Sequence, residues 1–161
     1  MRMRLTGALR AAWGVASALA LVSCAGIRLV SDYDVTTDQQ VTALQRAVDD
    51  TLVALKGATA PGCFYVSHVQ FYQTTRSAVQ SLRLRNEARG PKNTQTTSEL
   101  GELSTALQAF EQLHQNASGG TPPACMAADR IELDRSGINA IFRAILTLEL
   151  AKKRNDATAS H

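Results

Sequence analysis

The side chains best suited to chemistry are few and scattered. Glu111 and His114 form a Glu-x-x-His pair, which puts a carboxylate and an imidazole on one face of a helix. Carboxylate-bridged di-metal bundles use that pair twice, with a further Glu from each of two other helices. Here the pair occurs once. The other histidines are His68, three residues after Tyr65, and His161, so no complete di-metal set can be assembled. His114 continues an apolar stripe and is expected to be a helix-end residue with a hydrogen-bond partner. Asp49 and Asp50 are adjacent, so on a helix they diverge by about 100° and cannot work as a paired acid and base. No C-x-x-C-H, G-x-S-x-G or glycine-rich phosphate loop occurs. No catalytic residue, metal site or cofactor is therefore assigned. His68, Tyr72, Arg76 and His114 remain as the candidate polar binding groups beside apolar faces.

Two cysteines point to a compartment. Cys63 and Cys125 are far from a C-x-x-C spacing and neither has a His beside it. Two such thiols are expected to pair as a structural disulfide in an oxidising compartment. A closed loop of about 60 residues would stabilise the fold by roughly 4 kcal/mol in the chain-entropy model.

The start of the chain supplies the matching address. Residues 1–10 are short and basic, and residues 11–22 are uncharged and mostly apolar. Such a run is too short to cross a bilayer, which takes about 20 residues, but it suits a secretory signal. It ends Leu21-Val22-Ser23-Cys24, which resembles the bacterial lipobox. That resemblance implies cleavage after residue 23 and two or three acyl chains on Cys24. One chain alone binds a membrane only marginally, so the added chains would make attachment effectively permanent. Ala25 stands where an Asp tends to retain enteric lipoproteins in the inner membrane. The expected location is therefore the periplasmic face of the outer membrane.

Four helices are needed to position these groups. Val41, Leu44, Val48, Leu52 and Leu55 recur at helical spacing behind Thr37 or Asp38 as cap, and residues 57–62 break the run. A second helix over about residues 64–89 uses Tyr65, Val69, Tyr72, Val79 and Leu82, and stops at Gly90-Pro91. Thr96 and Glu99 have capping-box spacing ahead of Leu100, Leu103, Leu107 and Phe110. After a break at residues 117–123, the last helix carries Ile131, Ile138, Ile141, Ile145 and Leu148 and frays past Arg154. The expected organisation is a signal peptide (1–23), a lipidated Cys24 with its tether (24–36), an all-α up-down-up-down four-helix bundle (37–154) and a loose tail (155–161). In that topology helices two and four start at the same end, where Cys63 and Cys125 can meet. The opposite end then faces the anchor.

Two surface features have competing readings. Phe64, Tyr65, Phe71 and Tyr72 form two aromatic stripes, expected as a wide core face rather than an exposed patch, with His68 at its edge. Arg83, Arg85, Arg89 and Lys92 near the end of helix two, with Lys152, Lys153 and Arg154 near the end of helix four, gather at the anchor end. They can complement helix C-termini and pair with Asp32, Asp34 and Asp38, or meet anionic headgroups. The candidate membrane-facing set is Arg85, Arg89, Lys92, Lys152, Lys153 and Arg154.

Ile27-Arg28-Leu29-Val30-Ser31-Asp32-Tyr33-Asp34, Asn93-x-x-Thr96 and Leu148-Glu149-Leu150-Ala151-Lys152-Lys153 together resemble an uncharacterised family of proteobacterial lipoproteins. The resemblance implies a helical lipoprotein and brings no catalytic residue with it. Net charge is instructive as well. The chain carries 17 Lys+Arg and 14 Asp+Glu; loss of Arg2, Arg4 and Arg10 with the signal leaves 14 against 14. A neutral mature protein lacks the electrostatic basis for binding nucleic acid. The expected function is a non-enzymatic, lipid-anchored module that binds an envelope protein through residues 57–62 and 117–123 or an exposed part of helix two. A small-molecule or metal-binding bundle is the alternative.

Overall fold

A computed structural model describes residues 31–159. The expected signal peptide, Cys24 and residues 25–30 lie outside the described residues, as do residues 160 and 161. The described chain is all-α. Helix α1 spans Val35–Gly57, α2 Val69–Ala88, α3 Thr94–Ser118 and α4 Ala128–Ala159, with 3-10 turns at Tyr65–His68 and Pro91–Asn93. Each helix packs against its chain neighbours, and α1 also packs against α4, which closes an up-down-up-down ring.

The stripe of α1 sits where its periodicity places it. Val41, Leu44, Val48, Leu52 and Leu55 are all buried. The cap differs from expectation: Asp34, in extended conformation, accepts from the Thr36 amide. Thr37 is buried instead, and its hydroxyl donates to Asp34 at 2.8 Å. The bundle therefore starts before residue 37.

Helix α2 buries Tyr72, Thr75, Val79, Leu82 and Asn86. The stretch before it is a 3-10 turn rather than α-helix. Its backbone is drawn aside by the Tyr65 amide, which donates to Ser118 Oγ at 2.8 Å, and by the neighbouring Cys63–Cys125 disulfide. Val69 is accordingly only half-buried. Phe64, Tyr65 and Phe71 are partly buried against the core, as a wide core face requires. Gly90, at φ +93°, supplies the left-handed residue that ends this segment.

The supposed capping box at Thr96 is not a cap. Helix α3 begins at Thr94, directly after the Pro91–Asn93 turn, and Thr96 is buried two residues inside it. Leu100, Leu103, Leu107 and Phe110 form the expected core stripe. In α4 the buried line runs Ile131, Ile138, Phe142, Ile145, Glu149 and Lys152, while Ile141 and Leu148 flank it. The loose tail is also corrected: α4 continues to Ala159, and Asp156 accepts from the Tyr33 amide at 2.7 Å.

Cys63 and Cys125 form the expected disulfide, with Cα atoms 5.4 Å apart. It joins the approaches to α2 and α4 at one end of the bundle. A polar seam binds α1 to α4 between the ends: Arg135 and Asn139 both donate to Asp49, at 2.7 and 2.6 Å. Asp49 is thus an ion-pair acceptor, held below the usual carboxylate range first by Arg135 and then by Asn139. No helix among the described residues is long and apolar enough to cross a membrane.

Candidate functional site

At the disulfide end, the Tyr65–His68 turn, α2 and α3 bring together the four polar groups singled out from sequence. His114 is fully buried. Its Nε2 lies 2.8 Å from the Cys63 carbonyl, which can only accept, so Nε2 carries the proton. Nδ1 then accepts from the Tyr72 hydroxyl at 2.7 Å. Both ring nitrogens are used, and burial lowers the pKa of His114, favouring the neutral ring. Burial likewise pushes the Tyr72 phenol up, further helped by the charge of Glu111.

Glu111 is engaged on both oxygens. Tyr65 Oη donates to one at 2.9 Å and Arg76 to the other. His68 packs with its ring centroid 5.4 Å from that of His114 and hydrogen-bonds the Gly62 carbonyl at 2.9 Å. The Glu-x-x-His pair is thus a structural junction whose acceptors are taken by protein donors. The adjoining cleft between Tyr72, Arg76, Ser104 and Glu111 has about 10 Å³ of free space, room for one water. Among the described residues, no group of three or more His, Cys, Asp or Glu is placed to hold a metal ion.

The opposite end, where the described chain begins, is built differently. Asp34 accepts from Arg85 Nε and Nη2 at 2.6 and 2.9 Å, and Arg89 Nη1 stands 3.6 Å away. The Arg85 guanidinium, helped by Thr37, Arg89 and the Thr36 amide, holds the Asp34 carboxyl well below the usual carboxylate range. Arg89 also donates to the Asp32 carbonyl at 2.7 Å. Tyr33 donates its hydroxyl to Asp38 at 2.6 Å, which with minor burial raises the phenol to about 12. Lys153 lies over the Tyr33 ring, 5.5 Å from its centroid.

Beneath this clamp lies a buried charged layer. Lys152 Nζ donates to Glu149 at 2.6 Å and to Asn93 and Thr96 at 2.9 Å each. Ser31 donates to the same Asn93 oxygen at 2.7 Å. Lys152 is 4% exposed and Glu149 0%. The three sequence segments singled out separately, around Ser31–Asp34, Asn93/Thr96 and Glu149–Lys153, therefore meet in one place.

The proposed membrane-facing cluster is accordingly divided. Lys152 is removed from it, because its ammonium is a core group with three protein acceptors. Arg85 and Arg89 are engaged with Asp34, and Lys153 with Tyr33. Lys92 and Arg154 are exposed. Sequence reasoning missed Ser31, Asn86, Asn93, Thr96 and Glu149 as interior polar groups. The signal was available: Thr37, Asn86, Thr96 and Glu149/Lys152 each continue the buried stripe of their helix at its entry end. The described side chains with buried, unpartnered polar atoms are Arg83, Asn93 and Glu149, all near this end. In comparisons with known proteins, no family model, curated protein or solved structure matches the chain.

Proposed function

We propose that this chain is a lipid-anchored periplasmic module without enzymatic activity, which holds a rigid bundle at a membrane and offers its disulfide end to another envelope protein. The observation that carries this reading is the clamp on residues 31–34. Asp34, Tyr33 and Ser31 are each fastened to a different part of the bundle. A lipid on Cys24 would then leave only residues 25–30 as tether, a reach of about 20 Å. The anchor would set not only the position of the domain but also which end faces away. Large exposed apolar side chains occur in the end regions, with Val53, Val66 and Leu133 at the disulfide end and Val35, Leu84 and Leu150 at the other.

The test has two arms in the producing cell. Mass spectrometry of the mature protein is expected to find an acylated Cys24 at the amino terminus. A photo-crosslinking residue at Val66 is expected to give one reproducible envelope-protein adduct, and the same residue at Thr105 on the flank of α3 to give none. An unacylated amino terminus, or equal adducts from both positions, overturns the reading.

A further inference from the structure

Two side chains of the buried charged layer are each one hydrogen bond short, in opposite senses. Asn93 is 1% exposed, and its amide nitrogen has no protein partner. Glu149 is 0% exposed, and its Oε2 has none either. The first atom is a donor and the second an acceptor. An interior polar atom left unpaired is costly, so each calls for a partner.

The protein groups of the layer cannot supply one. The three ammonium protons of Lys152 go to Asn93, Thr96 and Glu149. The Ser31 hydroxyl proton goes to Asn93 and the Thr96 hydroxyl proton to Glu149. Exchanging the oxygen and nitrogen of Asn93 would turn an NH2 toward Ser31 and Lys152, and an ammonium cannot donate to it. Exchanging the two carboxylate oxygens of Glu149 changes nothing, because Lys152 and Thr96 both donate to the same one. Yet the two heads are gathered around one ammonium: Lys152 Nζ holds Asn93 Oδ1 at 2.9 Å and Glu149 Oε1 at 2.6 Å.

The missing group must therefore accept from Asn93 and donate to Glu149. A cation would suit the carboxylate but meets the Lys152 ammonium and the amide N–H. An anion would suit the amide but meets the carboxylate. A small neutral molecule with both a lone pair and a proton fits both. We propose that the layer binds one internal water, which bridges Asn93 Nδ2 and Glu149 Oε2. It ties the Pro91–Asn93 turn to α4 and fixes the Asn93 amide with its oxygen toward Ser31 and Lys152. The water thus holds in place the acceptor to which the first described residue is fastened. A single molecule bonded on both sides to protein is a fixed part of the layer and leaves the ion pair shielded from bulk solvent.

The experiment uses the full chain with Cys24→Ser, which keeps acylation out, and reads the site in two ways. A high-resolution crystal structure is expected to show one ordered solvent peak within about 3.2 Å of both Asn93 Nδ2 and Glu149 Oε2. In solution, the Asn93 side-chain amide protons are expected to give an NOE to water with the sign of a molecule that tumbles with the protein. Ser31→Ala and Thr96→Val, which remove the two hydroxyls able to relay exchange, should each keep that NOE. Glu149→Leu with Lys152→Met removes the acceptor and should abolish both peak and NOE. A direct Asn93–Glu149 hydrogen bond, or another protein partner on either atom, overturns the proposal. So does an NOE that is absent, that is lost with either hydroxyl, or that survives in the double variant.

Discussion

Lys152→Met is the most demanding test of the interior. Lys152 and Glu149 are 4% and 0% exposed, and the pair is only 2.6 Å apart. Removing the ammonium leaves Glu149 with the Thr96 hydroxyl, 3.2 Å away, as its one remaining protein donor, because its second oxygen has no protein partner already. Breaking a buried pair from one side costs about 3–5 kcal/mol, chiefly because a charge is stranded. For a domain of this size that is a fall in Tm on the order of 10–20 °C. Replacing both partners, with Glu149→Leu added, removes the stranded charge, and the double variant should return to within about 1 kcal/mol of the parent or exceed it. Lys153→Met, one residue further on, removes an exposed ammonium resting on Tyr33 and should cost under about 1 kcal/mol. Urea denaturation of the four proteins reads these differences directly. A Lys152→Met loss below about 1 kcal/mol, or a double variant as unstable as the single, would show that the two groups do not share a dry interior.

Three further outcomes follow from the remaining geometry. Replacing Cys63 and Cys125 by Ser should cost about 4 kcal/mol, since it frees a long loop in the denatured chain; denaturation with intact and reduced disulfide gives the same comparison without substitution, and a difference under about 1 kcal/mol would contradict it. His114 has a lowered pKa in the fold, so below about pH 6.5 the unfolded chain takes up a proton that the native state resists. Stability should fall there by up to about 1.4 kcal/mol per pH unit, and His114→Gln should flatten that part of the profile relative to the parent. Asp34 has a depressed pKa, so its contribution is present above about pH 4 and lost as pH falls through its folded value. Asp34→Asn should therefore be less stable than the parent at neutral pH and converge on it in strong acid; curves that stay parallel would show that the Arg85 pair contributes nothing.

What could be read from sequence was the apolar half of each helix. Val41 through Leu55 and Leu100 through Phe110 occupy core positions because leucine and valine at helical spacing have no competing use. The disulfide was equally accessible, since Cys63 and Cys125 are the two cysteines that follow Cys24 and the up-down topology brings their helix starts together. The errors share one cause. Asp34, Thr37, Thr96 and Lys152 are polar, and local pattern alone places polar residues near helix ends in caps, tether or solvent. Thr96 with Glu99 has the spacing of a cap, but spacing does not say that a helix has begun two residues earlier. Lys152 lay within a run of three basic residues, and only the continuation of the buried line from Ile145 through Glu149 distinguishes it from Lys153. The convergence of Ser31, Asn93 and Glu149 depends on contacts 53–62 residues apart in sequence, which no local pattern contains.

The position of that layer bears on why the fold is unique. Four amphipathic helices with leucine-rich stripes can pack in more than one order and slide by a turn with little loss of buried area. The apolar core alone does not forbid these alternatives. A one-turn slip of α4 would withdraw Lys152 from Asn93 and Thr96 and leave an ammonium in a dry site. A reversal of α4 would put Glu149 and Lys152 near the Tyr72–His114 junction, where the acceptors of Glu111 and the imidazole are already filled. Each misarrangement strands a charge, so the charged layer need not stabilise the native state to select it. The disulfide performs the same selection at the other end, because only orders that juxtapose the starts of α2 and α4 allow Cys63 to reach Cys125. The Glu149→Leu, Lys152→Met variant separates the two effects. It should keep or gain stability yet show faster or heterogeneous amide exchange in α4 when the disulfide is reduced. A single sharp set of α4 signals under those conditions would mean that shape complementarity among the apolar side chains fixes the register unaided.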